Sequence, residues 1–134
     1  MTQHEIDSLS FNIIGAAIEV HRALGPGLVE SVYHKCMMKE LQLRNLTHES
    51  EMRVNVEYKG ETIETGLRCD LLVEDSIVVE LKAVTEIHPI FEAQLMTYMK
   101  LLKKPKGILI NFHCNNIARS GQRTYVNQLY RELK

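Results

Sequence analysis

Residues 66–82 read GLRCDLLVEDSIVVELK, two β-rich runs, 67–73 and 77–82, separated by the polar triplet Glu74-Asp75-Ser76. This pattern predicts a hairpin with a three-residue turn in which Val73 opposes Ile77. Counting outward from that pair places Asp70 directly opposite Glu80. Because strand side chains alternate in direction, Glu80 and Lys82 share one face roughly 7 Å apart, and Asp70 shares a face with Arg68 and Leu72. Cβ atoms of cross-strand neighbours lie about 5 Å apart, where like charges destabilise a sheet. Two carboxylates at about 4 Å repel by on the order of 4 kcal/mol at an effective dielectric of 20.

A bound cation, a protonated carboxyl, or the nearby Lys82 and Arg68 would relieve that repulsion. The cation is the option with chemistry. Mg²⁺ takes one or two carboxylates and keeps several waters, which leaves room for phosphate oxygens. Lys82, on the same face as Glu80, is placed to hold or help deprotonate an attacking water. An ordinary surface network of Asp70, Glu80, Lys82 and Arg68 without metal is the alternative.

Upstream of the hairpin, residues 11–24 carry Ile13, Ile14, Ala17, Ile18 and Leu24 at helical spacing, with Ser10 available as an N-cap. Gly25-Pro26-Gly27 breaks this amphipathic helix, and a second follows through Val29, Val32, Tyr33, Cys36, Met37 and Leu41. Glu30 falls in its first turn, where the macrodipole favours a carboxylate. Residues 53–58 alternate polar and apolar, and Lys59-Gly60-Glu61 supplies a turn before 62–64, so a further hairpin is expected. Downstream, residues 90–102 read as a helix ended by Pro105, with Gln94 and Tyr98 on one face at i, i+4. Residues 107–112, GILINF, read as a strand covered on both sides. Residues 113–121 look like loop, and 122–133 fit either a helix or a short edge strand followed by one. The expected architecture is two helices, a meander of three or more strands, a helix and a further strand, a mixed sheet flanked by helices.

The 134 residues, 45% hydrophobic and 25% charged, suit one compact domain over residues 1–134. No apolar run approaches the roughly 20 residues of a membrane span, and the opening MTQHEIDSLS lacks a signal peptide's basic and apolar regions, so a cytoplasmic location is expected. Cys36, Cys69 and Cys114 are odd in number and not in CxxC spacing, which points to buried free thiols rather than disulfides or structural zinc. Residues 1–99 carry 8 Lys/Arg against 16 Asp/Glu, whereas residues 100–134 carry 8 against one, leaving the last quarter at +7. Such a block either attracts a polyanion or is simply a solvated basic surface.

Taken in order, these elements resemble the GxxExxY protein family of the PD-(D/E)XK nuclease-like superfamily. Gly27, Glu30 and Tyr33 match the family's name motif, and Asp70 followed by Glu80 and Lys82 matches the superfamily's Asp and Glu-x-Lys. Gln94 and Tyr98 match the QxxxY element of its recombination-exonuclease branch, and the similarity runs over residues 13–112. Cys69 stands where the superfamily's name has Pro, a position that holds no ligand. The resemblance implies a restriction-endonuclease-like α/β fold in which Asp70 and Glu80 bind Mg²⁺ or Mn²⁺. The Leu81 carbonyl would complete the metal site, Glu30 would support the metal or its water, and Gln94 and Tyr98 would orient phosphate or the catalytic groups.

The expected function is metal-dependent hydrolysis of phosphodiester bonds in nucleic acid, DNA ahead of RNA, with self-association left open and no membrane partner. Two other readings stand beside it. One is a nuclease-fold module of little or no turnover that binds nucleic acid or a protein; the other is a structural homodimer whose polar cluster is a salt-bridge network. A nuclease fold need not carry nuclease activity, since function belongs to the site.

Overall fold

In the computed structural model, which describes residues 1–134, the first helix, α1, spans Gln3–Leu24. It starts earlier than the expected residue 11. Thr2 accepts a hydrogen bond from the Glu5 amide while the Glu5 carboxylate accepts one from the Thr2 amide, a reciprocal cap that satisfies two free donors. Ile6 and Leu9 extend the apolar stripe, and Ser10 lies buried inside the helix rather than capping it. The Gly-Pro-Gly corner follows, with Gly25 at φ 67° and Gly27 at φ 107°, a region open to glycine at little cost. Helix α2 then spans Glu30–Leu43.

Seven strands follow: β1 (His48–Arg53), β2 (Val56–Tyr58), β3 (Glu61–Ile63), β4 (Arg68–Val73), β5 (Ile77–Lys82), β6 (Lys106–Asn111) and β7 (Gln122–Val126). Helix α3 (Pro89–Leu102) joins β5 to β6, a π-helical turn (Ile117–Gly121) precedes β7, and the short α4 (Gln128–Arg131) ends the chain. Five strands make a mixed sheet in the order β1-β4-β5-β6-β7, with β5 and β6 its parallel pair, and β2 and β3 form a separate hairpin.

The expected strand over residues 53–58 is therefore split. Its first part belongs to β1, HESEMR, which has little hydrophobic pattern and takes its backbone partners from β4. The chain then breaks at Val54, whose amide donates to the Leu67 carbonyl (3.0 Å), and begins the β2–β3 hairpin, an insertion between the first two strands of the meander. The open question over 122–133 resolves as an edge strand followed by a short helix.

Two apolar layers sandwich the sheet. Ile77, Val79 and Leu81 of β5 and Leu71 and Val73 of β4 face α1 and α2, where Ile13, Ala17, Tyr33, Met37 and Leu41 are fully buried. Val78, Leu72 and Leu109 face α3 with Leu95, Tyr98 and Met99. The absence of a side chain at Gly107 lets α3 approach β6 closely, since a Cβ there would lie 2.6 Å from Met99 Sδ and 2.9 Å from Leu95 Cδ1. Cys69 is buried as expected, but Cys36 and Cys114 are only half-buried, and all three are free thiols. No helix is long and apolar enough to cross a membrane.

Candidate active site

The turn at 74–76 sets the register of β4 and β5: Val73 pairs with Ile77, Leu72 with Val78 and Leu71 with Val79. The next pair in the series, Asp70 and Glu80, leaves the backbone ladder. The Glu80 carboxylate accepts from the Asp70 amide (3.1 Å), and the Asp70 carboxylate accepts from the Leu81 amide (2.7 Å). Side chains thus take over from main-chain acceptors where the two strands splay. Along a strand, one residue's N–H and C=O point to the same neighbour, so the Leu81 carbonyl faces this gap as well.

Electrostatics follow from the geometry. Glu80 is 4% exposed. Burial, and then the negative charge of Asp70, push its carboxyl up to about 9, opposed by the hydrogen bond from the Asp70 amide and by Lys82. Of the three ways to relieve the carboxylate repulsion, burial favours a proton on Glu80, and Lys82 offsets part of the repulsion. Arg68 does not serve, because it enters no ion pair. Lys82, half-buried, places its ammonium 4.5 Å from the centroid of the Phe91 ring at the start of α3, and its carbonyl accepts from the Phe112 amide (2.9 Å). Asn111, at the end of β6, accepts from the Val84 and His113 amides and donates to the Val84 carbonyl, which anchors the chain leaving β5.

Glu30 opens α2 and is exposed, yet surrounding atoms crowd its carboxylate enough to raise its pKa, assisted by Asp70 and Glu51 and opposed by Lys82 and His34. Tyr33 explains how the corner presents it. The buried Tyr33 hydroxyl donates to the Gly25 carbonyl (2.5 Å) and accepts from the Leu28 amide (3.2 Å), and its ring stacks on Phe112 at 4.3 Å. Both bonds close the Gly-Pro-Gly corner against the sheet. Tyr33→Phe is expected to cost about 1 kcal/mol, because it removes two part-buried hydrogen bonds at the corner; chemical denaturation measures it, and an unchanged midpoint would show the bonds to be idle.

Tyr98 is buried on the α3 side, and its hydroxyl is pushed up to about 12 by burial and by the charges of Glu80 and Asp70, while Gln94 beside it pulls the other way. At neutral pH it is a proton donor, suited to an anionic oxygen rather than to a base's role.

Two residues outside the expected set join this group. His34, one turn after Glu30, and Glu51, at φ 56° in β1, bring a ring nitrogen and a carboxylate oxygen to within 4.8 Å of each other and of an Asp70 oxygen. Ser50 Oγ contacts His34 Nε2 (2.8 Å), which leaves Nδ1 turned toward Glu51 at 4.0 Å. Bonding of the ring's other nitrogen is what orients a histidine ligand. The i, i+4 spacing of Glu30 and His34 was the available sequence signal; nothing in HESEMR singled out Glu51.

With splayed antiparallel strands carrying Asp70 and Glu80, Lys82 two residues on, and helices on both faces, the architecture is that of a nuclease-like α/β domain. A family model of the PD-(D/E)XK nuclease superfamily matches residues 7–124, and the chain belongs to that superfamily. A solved protein, the crystal structure of SSO0001, is 20% identical with a TM-score of 0.49, over 75% of this chain and 54% of its own, so this chain spans about half its length. No curated protein matches in sequence.

Proposed function

We propose that the chain is a divalent-metal-dependent nuclease that hydrolyses phosphodiester bonds of nucleic acid, DNA ahead of RNA. The observation that carries this reading is the pair of crossed carboxylate–amide bonds between Asp70 and Glu80 beside Lys82. A buried Glu80 beside the half-buried Asp70 is poorly explained as a stabilising network, since desolvation and the neighbouring like charge both disfavour its ionised form. The donors fit a hard cation: carboxylate oxygens of Asp70 and Glu80, the Leu81 carbonyl, and Glu30 at the rim. His34 and Glu51 extend the set around Asp70, and an imidazole nitrogen favours Mn²⁺ over Mg²⁺.

A cation held there would supply positive charge to the phosphate oxygens. The chain's own groups do the rest. Lys82 Nζ, steadied over Phe91, adds charge next to the reacting phosphate and holds the attacking water. Tyr98 and Gln94 offer hydrogen bonds to the phosphate from the α3 side. Glu30 accepts a hydrogen bond from the water at the opposite rim.

A second reading, a binding module of little turnover, is favoured by one feature: Lys82 rests on an aromatic ring rather than on a carboxylate. Calorimetric titration of Mn²⁺ into wild type and Asp70→Ala separates a metal site from a salt-bridge network. Saturable heat in wild type that vanishes in the variant is expected; equal heats in both would overturn the site.

A further inference from the structure

Arg53 ends β1 and Arg68 begins β4, and the two are register partners. Directly opposed like charges destabilise a ladder, yet neither guanidinium enters an ion pair. Their direction follows from their neighbours. Met52 and Cys69, also partners, turn into the apolar layer under α3, whereas Leu71, two residues on from Cys69, faces α1 and α2. The alternation of β4 therefore breaks at Asp70, and Arg68 does not share a face with Leu72 as expected. Arg53 and Arg68, next to Met52 and Cys69, project from the face opposite α3. Arg68 lies two residues along β4 from Asp70, roughly 7 Å.

The backbone beneath them is pinned. Besides the bond from the Val54 amide to Leu67, the Thr65 hydroxyl donates to the Val54 carbonyl (2.5 Å) and accepts from the Leu67 amide (2.9 Å), around Gly66 at φ 76°. A cavity of about 200 Å³ opens here, lined by Arg53, Asn55, Glu64, Gly66, Leu67 and Arg68. Two arginines that are register partners and line one cavity can both offer guanidinium groups to the oxygens of a phosphate, which planar N–H forks bind in pairs.

We propose that Arg53 and Arg68 form a phosphate subsite that grips the nucleic-acid backbone beside the bond to be cut. This rests on the nuclease reading above. The separation of Arg68 from Asp70 along β4 is on the scale of the spacing between neighbouring phosphates of one strand. The strand accordingly crosses the β1–β4 end of the sheet as it runs to Asp70 and Glu80, and the arginine pair recognises charge rather than base.

Fluorescence anisotropy in EDTA, with a labelled DNA duplex over a range of salt concentrations, tests this without turnover. Compared with wild type, the double variant Arg53→Gln/Arg68→Gln should bind about fivefold or more weakly, and its log Kd against log salt slope should fall by about 0.9, one phosphate's worth. A charge-matched control, Arg22→Gln/Lys39→Gln, should keep the wild-type slope. Melting of the double variant at or above the wild-type temperature confirms that it folds, since only repulsion is removed; either single variant replaces it otherwise. An unchanged slope, equal weakening in the control, or no binding by wild type would overturn the subsite. The nuclease reading fails differently, by loss of the Mn²⁺ response and of Lys82-dependent cleavage, neither of which this assay reads.

Discussion

Glu80→Gln is expected to stabilise the metal-free protein while abolishing its response to Mn²⁺. The amide keeps an oxygen for the Asp70 N–H but removes the ionisable group. Glu80 has its pKa raised on folding, to about 9 from the ordinary 4.5. Between those values the unfolded chain has lost the proton that the folded chain still holds, so wild-type stability falls as pH rises through this window. The variant lacks that slope. Wild type and Glu80→Gln should therefore unfold alike near pH 4, and the variant should gain on wild type as pH rises, by about 1–3 kcal/mol at pH 7. Denaturant titrations from pH 4 to 9 read the divergence directly. Added Mn²⁺ should raise the melting temperature of wild type by mass action and leave Glu80→Gln where it was. A salt-bridge network predicts the reverse: the variant loses up to about 1 kcal/mol, and metal shifts neither protein. Asp70→Asn should behave in the same sense, because it removes the charge that opposes ionisation of Glu80.

Lys82→Ala should lose cleavage while retaining fold and metal. Its ammonium touches the Phe91 ring and enters no ion pair, so truncation forfeits one cation–π contact, about 0.5–1 kcal/mol. The loss in rate should be far larger, about 10²–10³-fold, the usual scale for removing one preorganised charge or hydrogen-bond donor from the transition state. Plasmid, linear duplex, single-stranded DNA and RNA, each with Mn²⁺, form the substrate panel. Wild type and variant should show the same Mn²⁺ titration heat. Cleavage that persists in Lys82→Ala at the wild-type rate would remove this lysine from the chemistry. Absence of cleavage in both proteins, with the Mn²⁺ heat intact, would select the binding-module reading.

Much of the central geometry was legible in residues 66–82 because two constraints act on the same short stretch. Alternation with period two leaves each strand a defined pair of faces, and a three-residue turn leaves one pairing of those strands. Together they set Asp70 against Glu80 without any long-range information, and the observed register of Val73 with Ile77 follows the same count. The helical spacing of Gln94 and Tyr98 is likewise a local property, and it placed both on α3. Local pattern failed where partners come from elsewhere. Strand β1 is polar at nearly every position and exists because β4 supplies its hydrogen bonds, and α1 begins at a capping box that lies outside the strongest apolar stripe.

By itself, then, the sequence determined which groups stand opposite one another across the hairpin and which share a helix face, since both depend only on chain geometry over a few residues. Tertiary structure alone decided the rest. His34 and Glu51 reach Asp70 because α2 packs beside an edge strand that kinks into the left-handed region at Glu51. Glu80 has its pKa raised because atoms remote in sequence exclude water from it. Desolvation and convergence are sums over neighbours brought in by packing, and no window along the chain contains them.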